Sequence, residues 1–381
     1  MLRDRILAII LAGGEGSRLR QLTNEKPKPS LSFGGVYQLI DFPLSNCVHS
    51  GIDDVWVVMQ YQPGPLQTHL RNGRPWDLDR NRGGLRILQP FTGEEESGWH
   101  QGNADALYRH RSDIREAAPD LVLVLSADHL YTMDFRQAVE THQKHQAEVT
   151  MVVTPLPPRE DATRFGNVQF NARHRVTRFD YKPDKPQSDW VTTEIFLYSA
   201  APLLQMLDDL AARAERDKGK AELEDFGHEL LPEFVKRGKV YAHKHEGYWR
   251  DVGTVEAYHA AHMDLLDKAP LNPQDGKWPI LTRSLNRMPS RVQSGAKIEN
   301  SLLSSGCEIA GRVVHSVIAP DVVIEKGAVV ENSVVSQGAI IESGARVKNA
   351  VVIENARLTK GTYGRAGRIT LSGAQNVNDE P

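Results

Sequence analysis

The chain has 381 residues, 40% of them apolar and 25% charged, with a formal net charge of −3; it is long enough for two or three domains and ordinary for a soluble globular protein. That balance argues against a nucleic-acid scaffold, so any polyanionic ligand must be met by local basic groups. Cys47 and Cys307 lie too far apart for ligand spacing, which implies a reducing, cytoplasmic compartment; there is no signal-peptide pattern, and no apolar run reaches the ~18 residues of a membrane span.

The first element is an apolar run, Ile6–Leu11, expected as a buried parallel strand. It stops at Gly13, Gly14 and Gly16, followed by Ser17 and Arg18. Glycines directly after a strand permit a tight turn whose N–H groups can face an anion, and Arg18 adds a planar, permanently charged donor. A Walker loop is excluded, because no Gly-Lys-Ser/Thr run follows. The dinucleotide fingerprint would need a glycine at Leu19 and an acid about 20 residues on. A plain Gly-rich turn is the alternative. Pro27 and Pro29 keep the next segment extended and leave Lys26 and Lys28 on a loop near the same strand end, facing either phosphate or solvent.

Asp41–Cys47 begins a helix that Gly51 ends, and Asp54–Met59 is a second buried strand with Gln60 at its tip. Strand, connection and strand start a doubly wound sheet. Residues 62–104 read as mostly loop, broken by the strand-like Leu85–Leu88, and Asp105–Ala118 as one helix. Leu121–Leu125 is a short apolar strand that delivers Asp128 at its carboxyl end, where an acid suits a metal or phosphate; a helix N-cap is the alternative. His142 and His145 share a helical face with nothing to complete a metal set and are expected in solvent. Val149–Val153 is one more strand.

From Phe165 the period changes to two, as in antiparallel strands, through Val168–Phe170, Arg175–Phe179 and Glu194–Tyr198. Ala201–Ala214 reads as a helix, Lys218–Asp225 as a mobile charged loop, Phe226–Val235 as a short helix and Lys239–His245 as a strand with its histidines at the surface. A Gly-bounded turn then carries Asp251 between Arg250 and Val252, and Glu256–Lys268 closes the domain. The Pro/Asn/Gly-rich stretch 271–289 reads as a linker. Beyond it, Ile318, Ile324 and Val330, and again Val335, Ile341, Val347 and Ile353, recur every six residues, the mark of a parallel β-helix. His315 is the one histidine in it, unconvincing as an acyl-transfer base, and a frayed tail is expected from Thr359.

Arg18 on the glycine turn, Asp128 and Asp251 converge at strand ends. Two carboxylates from distant parts of the chain suit one Mg²⁺ held jointly with substrate phosphates. That arrangement fits attack of one phosphate on the α-phosphate of a nucleoside triphosphate, with alignment and charge stabilisation as the protein's task.

The ordered series Leu-Ala-Gly-Gly-Glu-Gly-Ser-Arg-Leu, Lys-Pro-Ser-Leu-Ser-Phe-Gly-Gly, Tyr-Gln-Leu-Ile-Asp-Phe-Pro-Leu-Ser-Asn, Gln-Gly-Asn-Ala-Asp-Ala, Ser-Ala-Asp-His-Leu-Tyr, Asp-Phe-Gly-His-Glu and Gly-Tyr-Trp-Arg-Asp-Val-Gly-Thr spans nearly the whole chain. It resembles the glucose-1-phosphate adenylyltransferases of the bacterial glycogen pathway. The resemblance implies a Rossmann-like α/β nucleotidyltransferase domain (1–270), the linker (271–289), a left-handed parallel β-helix (290–358) and a tail (359–381). It further implies Mg²⁺-dependent formation of ADP-sugar and pyrophosphate from ATP and a sugar 1-phosphate, a homotetramer, a metabolite effector, and neither nucleic-acid nor membrane partners. By position it assigns Leu11, Ala12, Gly13, Gly14, Gly16, Ser17 and Arg18 to the triphosphate, and Gln60, Gln101, Gly102 and Asn103 to the adenine side. Asp128 and Asp251 fall to the metal, and Arg18, Lys28 and Asp128 to the reaction. Lys182 falls to the sugar phosphate, with Gly166, Tyr181, Thr192 and Glu194 around the sugar.

The departures cluster at the sugar. Tyr181-Lys182-Pro183 stands where the family has Glu-Lys-Pro, and Thr192-Thr193-Glu194 where it has Ser-Met-Gly. Gln101-Gly102-Asn103 replaces Gln-Gly-Thr, and Glu25 replaces a lysine tied to activator control in one branch. Glucose 1-phosphate is the first expectation. The alternatives are another hexose or amino-hexose 1-phosphate, another nucleotide, or a non-catalytic regulatory subunit.

Overall fold

Ile6–Ala12 (β1) is seven consecutive buried residues, a pattern that only a strand covered on both faces accommodates. Its even residues, Ile6, Ala8, Ile10 and Ala12, enter one apolar cluster and its odd residues, Leu7, Ile9 and Leu11, enter another. The two faces of one sheet thus carry separate cores. The computed structural model describes residues 4–13, 16–89, 102–156, 160–216, 225–267 and 271–373.

After β1 come a small ribbon, Ser32–Phe33 (β2) with Tyr37–Gln38 (β3), then Asp54–Met59 (β4), Gly84–Leu88 (β5) and Leu121–Ser126 (β6). His129–Tyr131 (β7), Val149–Pro155 (β8), Gly166–Phe170 (β9), Val176–Tyr181 (β10), Trp190–Ser199 (β11), Val240–Lys244 (β12) and Trp249–Asp251 (β13) follow. β1 lies between β4 and β6, parallel to both, and β5 extends that half beyond β4. The long β11 runs antiparallel to β6, β8 and β9 and joins the two halves, with β12 parallel to β8 at the far side. A parallel half and an antiparallel half therefore share one sheet, as the change of period at Phe165 anticipates. β7 and β13 form a separate antiparallel pair above the carboxyl ends of the parallel strands.

Several local expectations are corrected. Residues 62–104 contain a helix, Pro63–Leu70, because prolines in a first helical turn remove only N–H groups that have no partner there. Asp105–Ala118 is two helices, Asn103–Arg109 and Arg111–Ala117, divided at His110. His142 is not in solvent: it lies under the sheet between the hydroxyls of Thr150 and Ser199, at 2.9 Å from each, while His145 stacks on Tyr241. His245 is also buried, against the Tyr248 carbonyl. The expected mobile loop 218–225 falls largely outside the described residues; Asp225 itself is ordered and caps Phe226–Leu230. Cys47 and Cys307 are free and buried.

The C-terminal part is three parallel five-stranded sheets, which close a left-handed β-helix around Ile309, Ile318, Ile324, Val330 and their successors. Ile318, Ile324 and Val330 pair with Val335, Ile341 and Val347, an offset of 17 residues in each case. These coils are thus one residue short of three hexads, and the coil before them is shorter still, with Ile298, Leu303 and Ile309 pairing 15 residues on with Val313, Ile318 and Ile324. The count slips after Val347, so that Val352 pairs with Val335 in the core and Ile353 is only partly buried. Pairing also continues beyond residue 358: Gly361–Tyr363 and Thr370–Ser372 complete the last coil where a frayed tail is expected.

The stretch 271–289 has no regular structure but is pinned to the first domain. Trp278 Nε1 donates to Asn46 Oδ1 at 2.8 Å, and the Leu281 carbonyl accepts from Trp76 Nε1 at 3.0 Å. Val255–Asp264, the last helix of the first domain, lies on the β-helix. Tyr258 and Ala261 share one apolar cluster with Val317, Val334 and Val351.

Candidate functional site

Four chain segments meet where β1 and β6 end. Gly13 leaves β1, and Gly14 and Glu15 lie outside the described residues. Gly16 has a left-handed φ of 72°, and a Cβ there would come within 3.2 Å of both Thr23 and Lys28. Glycine is therefore required for the turn into the 3₁₀ segment Ser17–Thr23. β6 carries the chain to Asp128, which accepts a hydrogen bond from the Ser126 hydroxyl. The ladder between β7 and β13 sets Asp251 directly across from His129 and so beside Asp128. Lys28 begins a short 3₁₀ turn that the two prolines permit, and it is buried rather than solvated.

The Lys28 ammonium bridges the two acids, 2.6 Å from Asp128 Oδ2 and 3.1 Å from Asp251 Oδ1. Arg164 donates to the other oxygen of Asp251 at 2.9 Å. Burial alone would push both carboxyls up, but Lys28 and His129 overcome it and hold Asp128 and Asp251 below the usual carboxylate range. Burial pulls the Lys28 ammonium down, yet its two carboxylate partners leave it net raised.

Glu194 behaves oppositely. Burial, followed by the repulsion of Asp128, raises its carboxyl despite the attraction of His129. It occupies a bulge of β11 between Thr192 and Phe196 with φ 55°, a left-handed conformation unfavourable for a long side chain. The neighbouring carboxylates are thus driven apart in acidity, a pattern typical of working sites.

These groups surround a cavity of about 200 Å³. Arg18, Lys28, Arg164 and Lys182 oppose Asp128, Glu194, Asp225 and Asp251 on its walls. Of the residues expected for the nucleotide, Leu11, Gly13, Arg18 and Asn103 line the cavity. Ala12 and Gly16 shape the turn behind it, and Ser17 is exposed. Gly102 precedes the Asn103–Arg109 helix, Gln60 stands next to Gly13, and Gln101 lies outside the described residues. Around the sugar, Tyr181, Lys182 and Glu194 line the space, whereas Gly166 and Thr192 lie beneath it. A Cβ on Gly166 would come within 2.6 Å of Thr192, and the Thr192 hydroxyl accepts from the Glu194 N–H at 3.1 Å. Lys182 donates to the Tyr181 hydroxyl at 2.7 Å, and that hydroxyl donates to Asp225 at 3.2 Å.

Sequence reasoning missed three wall residues. Asp225 caps the helix that follows, accepting from the Gly227 N–H while Glu229 accepts from the Asp225 N–H, but the Asp-to-Glu spacing is one residue longer than a capping box and gives no sequence signal of a cavity residue. His129 reads only as a neighbour of Asp128, and Arg164 sits in a connection with no periodic signal. As for a cation, Asp128 and Asp251 flank the Lys28 ammonium with hard carboxylate oxygens, a donor chemistry that fits Mg²⁺. His129 and Glu194 widen the donor set, their ligand atoms and that of Asp128 lying within 4.8 Å of one another.

Among the described residues no helix is long and apolar enough to cross a membrane. Residues 7–268 match the family model for nucleotidyl transferases, and residues 288–364 that for the GlmU-like C-terminal hexapeptide. The chain is 40% identical over 328 residues to a glucose-1-phosphate adenylyltransferase of Lachnospira eligens, covering 86% of this chain and 75% of that protein. It is 41% identical to the Pseudothermotoga lettingae protein of the same name, covering 86% and 76% of the two chains. The Thermosipho africanus protein of that name is 38% identical, with coverage of 86% and 78%. With both halves of the fold matched and the charged cavity at its expected place, the chain belongs to the glucose-1-phosphate adenylyltransferase family of nucleotidyl transferases.

Proposed function

We propose that the protein transfers AMP from ATP to α-D-glucose 1-phosphate, giving ADP-glucose and pyrophosphate for α-glucan synthesis. The observation that carries this reading is the Lys28 ammonium held between two partly buried carboxylates at the mouth of a glycine turn, with Arg18 and Lys182 lining the same cavity. In the reaction, a phosphate oxygen of the sugar 1-phosphate forms a bond to the α-phosphorus. The bond from that phosphorus to the β-phosphate bridging oxygen breaks, and its electrons leave with pyrophosphate. The attacking phosphate is already ionised at neutral pH, so no side chain needs to remove a proton.

The chain's own groups then act by alignment and charge. The turn from Leu11 to Arg18 receives the triphosphate, and Gln60, Gly102 and Asn103, with Gln101 by its position in the sequence, serve the adenine side. Lys182 holds the sugar phosphate, and Arg18 stabilises the charge that passes along the phosphates. Lys28 keeps Asp128 and Asp251 ionised and in register. Asp128 and Asp251 would hold Mg²⁺, which supplies charge neutralisation at the phosphate oxygens. A homotetramer and a metabolite effector belong to the same reading and are checked by solution mass and by effector titration.

The test is a matrix of four nucleoside triphosphates against a panel of sugar 1-phosphates with Mg²⁺, following pyrophosphate. ATP with glucose 1-phosphate should give the highest kcat/KM. A different hexose or an amino-hexose ahead by more than tenfold would overturn the glucose assignment, and silence with every pair would indicate a regulatory subunit.

A further inference from the structure

Glu194 carries two costs at once: a left-handed backbone, φ 55°, and a partly buried carboxylate that, among the described residues, forms no hydrogen bond or salt bridge. The other acids of the cavity wall are supplied. Asp128 has Lys28 and the Ser126 hydroxyl, Asp251 has Lys28 and Arg164, and Asp225 has the Tyr181 hydroxyl and the Gly227 N–H. The bulge that presents Glu194 is not loose: the Thr192 hydroxyl accepts from the Glu194 N–H, and the Thr193 hydroxyl donates to the Val152 carbonyl at 3.0 Å. A fixed carboxylate that lines a cavity without a donor of its own points to a donor on the ligand.

The place of that carboxylate says which part of a sugar 1-phosphate it meets. Thr192, two residues before Glu194, lies against Gly166, and Gly166 pairs with Tyr181, the residue before Lys182. The Glu194 carboxylate feels the Lys182 charge and lies within 4.8 Å of an Asp128 oxygen. It is therefore at the phosphate end of the sugar, where the substituent within reach is the one on C2, next to the anomeric carbon, and not the one on C6. A C2 hydroxyl offers Glu194 a single donor and no charge. A C2 ammonium offers several donors and a charge that offsets the burial raising this carboxyl. Lys182 is bonded to the neutral Tyr181 hydroxyl rather than to an acid, which leaves its charge for the phosphate of the same molecule.

We propose that Glu194 reads an ammonium group at C2 of the sugar, so that 2-amino-2-deoxyhexose 1-phosphates are a second class of acceptor beside glucose 1-phosphate. The inference rests on the proposed reaction and changes none of its bonds. An oxygen of the amino sugar's phosphate bonds to the α-phosphorus, the bond from that phosphorus to the bridging oxygen breaks, and its electrons leave with pyrophosphate. The amine is held and does not react.

The experiment uses the full chain with ATP and Mg²⁺ and follows pyrophosphate from glucose 1-phosphate, glucosamine 1-phosphate, N-acetylglucosamine 1-phosphate and 6-amino-6-deoxyglucose 1-phosphate. Glucosamine 1-phosphate should reach a kcat/KM within about tenfold of glucose 1-phosphate, and the N-acetyl and 6-amino sugars should each fall at least about tenfold below it. Glu194→Gln and Glu194→Gly should each lower the glucosamine-to-glucose ratio of kcat/KM by at least about tenfold, while Glu194→Asp keeps more of that ratio than either. Glu194→Gly relieves the backbone and should not lower Tm, so its loss of preference cannot come from misfolding. A ratio that Glu194→Gln leaves unmoved, equal use of the 6-amino sugar, or an effect of Glu194→Gln confined to the Mg²⁺ requirement and equal for both acceptors would overturn the proposal. Calorimetric binding of both sugar phosphates in the presence of Mg²⁺ and a non-hydrolysable ATP analogue separates this inference from the reaction it rests on. Tighter binding of glucosamine 1-phosphate that Glu194→Gln removes, with no pyrophosphate from any sugar, would defeat the reaction and leave the recognition standing. Pyrophosphate from glucose 1-phosphate alone would do the reverse.

Discussion

The β-helix and the cavity end of the sheet both contain residues forced into the left-handed backbone region, and they deal with it differently. In the β-helix, His315, Asn332 and Asn349 have φ of 45°, 45° and 52° and stack at one corner of successive coils. Their side chains bond along the stack, from His315 to Asn332, from Asn332 to Asn349 and from Asn349 to the Arg365 carbonyl. Ser316 and Ser333 do the same on the neighbouring row, each accepting the N–H of the next coil. Repetition supplies these stacked groups with a partner one coil away. At the cavity, Lys182 and Glu194 have φ of 45° and 55° without a stacked amide to compensate. What is repeated along the stack in one region is met singly in the other, where Lys182 finds the adjacent Tyr181 hydroxyl and the Glu194 carboxylate faces the cavity.

The sharpest way to break this contrast is Asp128→Asn. It should lower kcat for pyrophosphate release by about 10²–10³-fold with no fall in Tm, because Lys28 keeps Asp251 as a partner. A large drop in Tm would show that the acid is there for stability. Ile341→Ala should do the opposite, costing about 2–5 kcal/mol of stability by opening a cavity in the β-helix core while kcat stays within twofold; denaturant melts and steady-state rates read both.

The buried histidines give an intermediate effect. Burial lowers His142, which the nearby Asp4 only partly offsets, and burial likewise lowers His262; each falls to about 4. Above pH 6.5 these rings are neutral in both folded and unfolded chains and contribute nothing to pH dependence. Between pH 6.5 and 4 the unfolded chain binds protons that the folded chain refuses, so stability falls as pH falls, by about 1–3 kcal/mol per ring. Calorimetric Tm across that range should drop less in His142→Gln, and an unchanged drop would place the ring elsewhere. Lys182→Ala should raise the sugar 1-phosphate KM about tenfold with kcat nearly unchanged; equal kcat losses at constant KM would remove it from that phosphate. Smallest of all, Asn332→Ala should cost about 1–2 kcal/mol for its corner, with pyrophosphate release untouched.

The apolar runs at Ile6–Leu11, Asp54–Met59 and Leu121–Leu125 made the parallel half legible, because strands buried on both faces have nowhere to put polar residues. The six-residue recurrence did the same for the β-helix, and the uneven coil length escaped it, since a five-residue gap between Val330 and Val335 looks like noise until the pairing is seen. Gly13, Gly16, Arg18 and Asp128 were legible from strand-end chemistry. Arg164, His129 and Asp225 were not, because they reach the cavity through tertiary pairing: β13 against β7, and Asp225 against Tyr181. The helix Pro63–Leu70 was hidden by prolines whose meaning depends on their place in the first turn. His142 was hidden because amphipathic spacing cannot tell a hydroxyl-lined pocket from solvent.

The match to a nucleotidyl transferase ends at residue 268 and the hexapeptide match begins at 288, yet the molecule has no seam there. Tyr258 and Ala261 share their apolar cluster with Val317, Val334 and Val351, and His259 reaches the Asn332 carbonyl at 2.8 Å. A chain truncated after residue 289 would uncover that helix face and should aggregate or melt early, even though every side chain around the cavity remains. Intact, the two halves should melt in one calorimetric transition, so a lesion in a distant coil is felt at the cavity as lost enzyme rather than as slower enzyme.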